Sequence, residues 1–210
     1  GFSIPVRLTL PDGDRPAPLI VNPHGGPHGV FDEWAFNYET QLLASRGYAV
    51  LQINFRGSGG LGKKFEDAGH KEWGGQMIED IAAATRWAMA HPDIDEGRVC
   101  AFGGSYGAYA SYMLAGRESA MLRCVIGYVG VYDLTLLYRT GDISESWGGE
   151  GYLERAVGRD EDTLADFSPV NHASKITAAS MLIHGEDDNR APIDHAYAMR
   201  EALRDAGTDP

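Results

Sequence analysis

Hydrophobic positions along the chain fall into short runs that alternate between two periods. "FSIPVRLTL", residues 2–10, places Ile4, Val6, Leu8 and Leu10 at every second position, the pattern of an outer strand buried on one face. "PDGDRPAP" reads as a turn from its Pro, Asp and Gly content, and "LIVN" (19–22) as a short buried strand. Residues 37–46 carry a helical pattern, with Leu42 and Leu43 on the apolar face and Gly47 as the stop. "YAVLQINF" (48–55) predicts a strand, and 56–75 a long Gly-rich loop. Residues 77–90 predict a helix with Ile78, Ile81, Thr85 and Met89 near one face; Pro92 lies just past its end. The pattern then predicts a strand over 99–102, a helix over 106–115 and a strand over 125–129. Residues 135–175 are irregular, with short helical patterns. A strand over 180–184 and a helix over 193–206, opened by Pro192 and stopped by Gly207, end the chain.

Strands separated by helices imply an α/β fold, with a mostly parallel sheet covered by helices on both faces. The strand runs "LIV", "AVLQI", "VCAF", "CVIGYV" and "SMLI" are nearly all apolar, as that burial requires. No internal repeat and no second-domain boundary is visible, so residues 1–210 read as one domain.

Composition narrows the function classes. Hydrophobic residues make up 43% and charged residues 23%, ordinary for a soluble globular protein. The net charge of −12 argues against nucleic acid as a partner, because phosphates need a basic patch. No apolar run approaches the roughly 18 residues of a membrane span, so no membrane partner is expected. No signal peptide opens the chain, but it starts at Gly1 rather than Met, which leaves the compartment open between cytoplasm and periplasm. Cys100 and Cys124 each sit in an apolar strand run and read as buried core thiols. No Cys/His cluster has metal-ligand spacing, and no cofactor is implied.

Three loops carry candidate chemistry. Gly103-Gly104-Ser105-Tyr106-Gly107 matches G-x-S-x-G between a strand and a helix. In that context the serine sits on a strained turn, its flanks kept small so that strand and helix pack closely. The helix start aims free N–H groups at the site, and the Tyr106 N–H is placed to hold an oxyanion. "NPHGGPHG" (22–29) follows a strand, and its adjacent glycines expose backbone N–H groups; Gly26 is assigned as the second oxyanion donor. A plain Gly-Pro turn would look the same. "LIHGEDDNRAP" (182–192) ends a strand in a His-Gly turn and two carboxylates, where an acid orienting a histidine belongs. Spacing alone leaves Asp187 and Asp188 both open. His24 and His28 precede the nucleophile, contrary to the order Ser, Asp, His, and His24 reads as a loop-shaping residue.

"HGGP", "NFRGSGGLG", "EWGG", "GGSYGA" and "LIHGEDDNRAP" occur in the order found in the prolyl oligopeptidase family of serine peptidases, which this chain resembles over nearly its whole length. The resemblance is closest to the acylaminoacyl-peptidase and dipeptidyl-peptidase branch. It implies an α/β-hydrolase catalytic domain hydrolysing short peptides through an acyl-enzyme. It places the triad acid at Asp188 and gives Arg190, two residues on, the role of binding a substrate backbone carbonyl. It makes Arg56 of "NFRGS" structural. Ala191 departs from the family's Val, with an altered pocket wall as the expected effect, and Ala108 from its Gly. The family's N-terminal β-propeller would precede Gly1, and its catalytic His would follow one more strand beyond residue 210. The chain is therefore expected to be truncated before the last strand, and by itself nearly inactive. Tyr132, Trp147 and Tyr152 are candidates to line an apolar substrate pocket. A carboxylesterase with the same machinery, or a non-catalytic fragment, are the competing readings; Arg190 and a propeller would separate peptidase from esterase. Association into a homo-oligomer stays open.

Overall fold

A computed structural model describes residues 1–13 and 15–210. Among the described residues six strands form one sheet: β1 (Val6–Thr9), β2 (Ala17–Pro23), β3 (Ala49–Ile53), β4 (Ile94–Gly104), β5 (Cys124–Tyr128) and β6 (Ala179–Ile183). Their spatial order is β1-β3-β2-β4-β5-β6. Only β1 runs antiparallel, pairing Val6 with Ile53 at one edge; the other pairs are parallel. This is the mostly parallel α/β arrangement that the alternating pattern predicts, in the α/β-hydrolase form that the family resemblance implies.

The principal helices are α1 (Tyr38–Ser45), α2 (Lys63–Asp67), α3 (Gln76–Met89) and α4 (Tyr106–Arg117). Asn37 caps α1, its side chain accepting from the Thr40 N–H at 2.9 Å. Gly47, at φ 92°, closes α1. The face α1 buries is Thr40 and Ala44; Leu42 is exposed, contrary to expectation. Helix α3 buries Ile78, Ile81, Thr85 and Ala88. The 56–75 segment, expected as a long Gly-rich loop, contains α2 and is tied to the core. Buried Asp80 accepts from the Arg56 backbone N–H (3.0 Å) and from its guanidinium (2.7 and 2.6 Å), so Arg56 has the structural role expected of it.

Residues 134–166 form four short helices, α5 (Leu134–Leu137), α6 (Asp142–Glu145), α7 (Gly149–Ala156) and α8 (Glu161–Asp166). A 3₁₀ turn (Pro169–Lys175), β6 and α9 (Asp194–Asp205) follow. The main core lies between the sheet and α3 and α4. Leu19, Val21, Leu51, Ile53, Val99 and Ala101 there are fully buried. On the opposite face, Asn22 reaches Glu39 of α1 at 2.9 Å. Towards β6 that face is open: Tyr128, Met181 and Ile183 are exposed.

The cysteines require a correction. They are not free core thiols but are joined as a disulfide. Cys100 and Cys124 are register partners on adjacent parallel strands, with Cα atoms 4.7 Å apart. Spacing of 24 residues in sequence hides that juxtaposition, which the strand register alone creates.

Candidate active site

The strand order reverses direction between β2 and β4. From β2 the chain passes through α1 to β3 on one side; from β4 it passes through α4 to β5 on the other. Loops leaving neighbouring strands in opposite directions open a crevice at their carboxyl ends. The loops that flank this crevice are the His24-Gly25-Gly26 loop after β2 and Ser105 after β4.

Ser105 alone makes the turn between β4 and α4. Its φ of 54° and ψ of −120° are rare for a residue with a side chain. Neighbouring elements hold that conformation. The Ser105 N–H donates to Tyr128 O at 2.9 Å, and its carbonyl accepts from the Ala108 and Tyr109 N–H groups at 3.1 Å. The glycines around it are set by space. A Cβ on Gly103 would stand 2.5 Å from the Gly107 carbonyl carbon, and one on Gly107 would overlap the Pro23 carbonyl. The Tyr106 N–H opens α4, where no carbonyl of a preceding turn exists to accept it. The Tyr106 side chain is buried and donates its hydroxyl to Trp73 O at 3.0 Å.

The Gly25-Gly26 backbone runs beside the turn. A Cβ on Gly25 would lie 3.2 Å from Gly104 O and 3.7 Å from Ser105 Cβ. His24 shapes this loop: its ring stacks on Phe55, with Nδ1 2.7 Å from Gly25 O and Nε2 2.8 Å from Ser58 Oγ. Burial holds its pKa below the usual histidine range.

A cavity of about 580 Å³ opens at this point. It brings together Gly26, Ser105, Tyr106, Trp147, Tyr152 and Arg190. Five of the seven site residues expected from sequence are in that set: Ser105, Tyr106, Gly26, Arg190 and Trp147, the last fully exposed at the rim. Tyr132 is not among them. It lies in the core, packed edge-on against Tyr112 with ring centroids 5.1 Å apart, and its neighbour Val131 reaches the cavity instead. Sequence reasoning missed Trp73, Leu137, Asp142 and Ile143, which also line it. Most of these come from the irregular stretch, where no periodicity marks an inward face.

Asp188 stands on the loop after β6 and does not line the cavity. Its Oδ1 accepts from the Arg190 and Ala191 N–H groups at 2.8 and 2.9 Å, which fixes the carboxylate. Gly104 pairs with Tyr128, and Tyr128 with Ile183. Ser105 and the loop bearing Asp188 thus leave the sheet two strands apart, roughly 10 Å. Ala191 is buried and accepts from His184 Nε2 at 2.6 Å; it forms no part of the pocket wall.

None of the seven histidines is hydrogen-bonded to Ser105 among the described residues. His28 meets the Trp73 Nε1–H at 3.2 Å and neighbours His70, with ring centroids 5.0 Å apart. His91 accepts from the Asp93 N–H, and His172 lies 2.6 Å from Asp166 O. His195 is fully buried. Its Nδ1 faces the Tyr132 and Asp133 N–H groups at 3.3 and 3.4 Å, and burial holds its pKa down to about 4.

The prolyl oligopeptidase family profile matches residues 34–210. The chain belongs to the prolyl oligopeptidase family. Uncharacterized peptidase YuxL of Bacillus subtilis is 33% identical over 213 residues, covering 97% of this chain and 31% of the relative. Dipeptidyl aminopeptidase BIII of Pseudoxanthomonas mexicana is 34% identical over 200 residues, covering 87% of this chain and 28% of the relative. The acylaminoacyl peptidase of Pyrococcus horikoshii superposes with a TM-score of 0.89 at 27% identity, over 97% of this chain and 33% of that one. The chain thus spans under a third of the length of the curated relatives named here. The family match, the structural likeness and the sheet order agree on the α/β-hydrolase fold.

Proposed function

We propose that this chain carries the nucleophile and oxyanion hole of a serine peptidase acting on short peptides. The observation that supports it most is Ser105, held at positive φ on the strand–helix turn with its residue on the cavity that Gly26 and Arg190 share. Ser105 Oγ attacks the scissile carbonyl carbon and gives its proton to an imidazole. The Tyr106 and Gly26 N–H groups stabilise the resulting oxyanion. Collapse of the intermediate expels the amine, which takes that proton, and leaves an acyl-enzyme that water hydrolyses. Asp188 orients the imidazole.

No histidine is hydrogen-bonded to Ser105 among the described residues, so this reading assigns the base role to an imidazole without naming its residue. Arg190 donates to a substrate carbonyl beyond the scissile bond, which favours peptides over simple esters. The aromatic and aliphatic walls, Trp147, Tyr152, Leu137 and Ile143, receive an apolar side chain.

In the full-length protein, Ser105→Ala should lower peptide turnover at least about 10³-fold. Arg190→Ala should lower kcat/KM about ten- to over a hundredfold on peptides, the value of one hydrogen bond from a charged donor, and far less on a small ester with one carbonyl. Retained turnover in Ser105→Ala would sink the nucleophile assignment. Equal losses on both substrates in Arg190→Ala would favour a carboxylesterase.

A further inference from the structure

Arg190 is held from two sides. Its backbone N–H donates to Asp188 Oδ1 at 2.8 Å. Its side chain reaches Asp142 at the start of α6, with Nε 2.9 Å from Oδ1. The Nε–H is not directed along that line, so the contact is a charge pair rather than an aligned hydrogen bond. Although the Asp142 side chain is 46% exposed, its Oδ1 is shielded from solvent. The backbone joins the same segments. The Asp142 N–H donates to Asn189 O at 2.8 Å, and a Cβ on Gly141, at φ 90°, would stand 2.9 Å from Arg190 O. Asp142 and Arg190 both line the Ser105 cavity.

An ion pair this exposed contributes little to folding. What it can do is place a group. A guanidinium approached at Nε keeps its two Nη groups as donors in a fixed fork. The neighbouring carboxylate also offsets the charge of the cation, so a ligand carboxylate would meet repulsion from Asp142 along with attraction from Arg190.

We infer that Asp142 is a positioning residue for Arg190: it holds the guanidinium in the cavity and tunes it to a neutral peptide carbonyl rather than a carboxylate. This rests on Ser105 as nucleophile and Arg190 as carbonyl donor. Asp142 touches neither the scissile bond nor the oxyanion donors; it acts through Arg190.

The test uses the full-length protein with Asp142→Asn, Asp142→Glu and Ser105→Ala. Two anilides of one apolar amino acid serve as substrates, one acetyl-blocked and one succinyl-blocked; the succinyl group adds a carboxylate near the carbonyl that Arg190 meets. For Asp142→Asn, KM on the acetyl substrate should rise about five- to tenfold with a smaller change in kcat. The succinyl-to-acetyl ratio of kcat/KM should rise by about tenfold, because the released cation now favours the carboxylate. Asp142→Glu, which keeps the charge, should return the ratio towards the parent value. A ratio unchanged in Asp142→Asn overturns the proposal. Partial unfolding lowers both substrates alike, leaves the ratio unmoved and counts against it. If Ser105→Ala abolishes turnover while the ratio does not move, only the role of Asp142 falls. If Ser105→Ala retains turnover, the nucleophile assignment falls and the proposal with it.

Discussion

Adding one methyl group to the Gly103-Gly104 pair tests the turn geometry directly. A Cβ on Gly103 would lie 2.5 Å from the Gly107 carbonyl carbon, 2.6 Å from its oxygen and 2.9 Å from its Cα. Carbon atoms in contact settle at about 3.5–4.0 Å, so the turn must open by roughly 1 Å. The obstacle is backbone, which cannot rotate aside as a side chain can. Overpacking of this kind costs about 1–3 kcal/mol. In a domain of this size that lowers Tm by about 2–4 °C for each kcal/mol. If Ser105 is the nucleophile proposed above, a displacement of about 1 Å there also costs about 10²-fold in rate. Gly104 is different: its Cβ would meet nothing nearer than Tyr128 Cδ1 at 3.5 Å. Gly104→Ala should melt within about 2 °C of the parent, because relief of glycine's entropy cost, about 0.5–1 kcal/mol, offsets a minor contact. Thermal denaturation of both variants, with peptide turnover, decides the matter. Equal melting temperatures and equal rates for Gly103→Ala and Gly104→Ala would refute the account of the turn.

The Cys100–Cys124 disulfide spans 24 residues, so removing it by a Cys100→Ala/Cys124→Ala double substitution should cost about 3 kcal/mol, seen as a lower urea midpoint. Two titratable thiols in the unreduced, denatured protein would contradict the pairing. His195 is held at about 4 by burial, against 6.5 unfolded, so the unfolded state binds the extra proton between those values. The stability it contributes is present above pH 6.5 and is lost as pH falls towards 4, by up to about 3 kcal/mol. His28 acts in the same direction, and Asp32, raised to about 6 by burial, acts oppositely. Denaturation curves of the parent and His195→Asn from pH 7 to 4 should therefore diverge at neutral pH and converge in acid; parallel pH profiles would refute the assignment.

Sequence by itself determined the α/β class, most strand and helix positions, and the turn at Ser105. These are local properties. A run such as "AVLQI" needs burial on both faces wherever it packs, and G-x-S-x-G states its own steric need within five residues. The acid at Asp188 rested on the family's spacing, since adjacent carboxylates Asp187 and Asp188 are equivalent to hydrophobic pattern and charge. Tertiary structure decided everything that depends on which strands are neighbours. Parallel register brought Cys100 to Cys124 and made a disulfide of two residues that look like core thiols. Strand reversal between β2 and β4 set the Gly25-Gly26 loop against Ser105 from 80 positions away. The stretch from 134 to 166 folds into helices of four to eight residues, too short to show a period. Its inward side chains are those that line the cavity beside Ser105, which is why Asp142 was invisible until its partner, Arg190, stood beside it, while Tyr132, just before that stretch, packs on Tyr112 in the core.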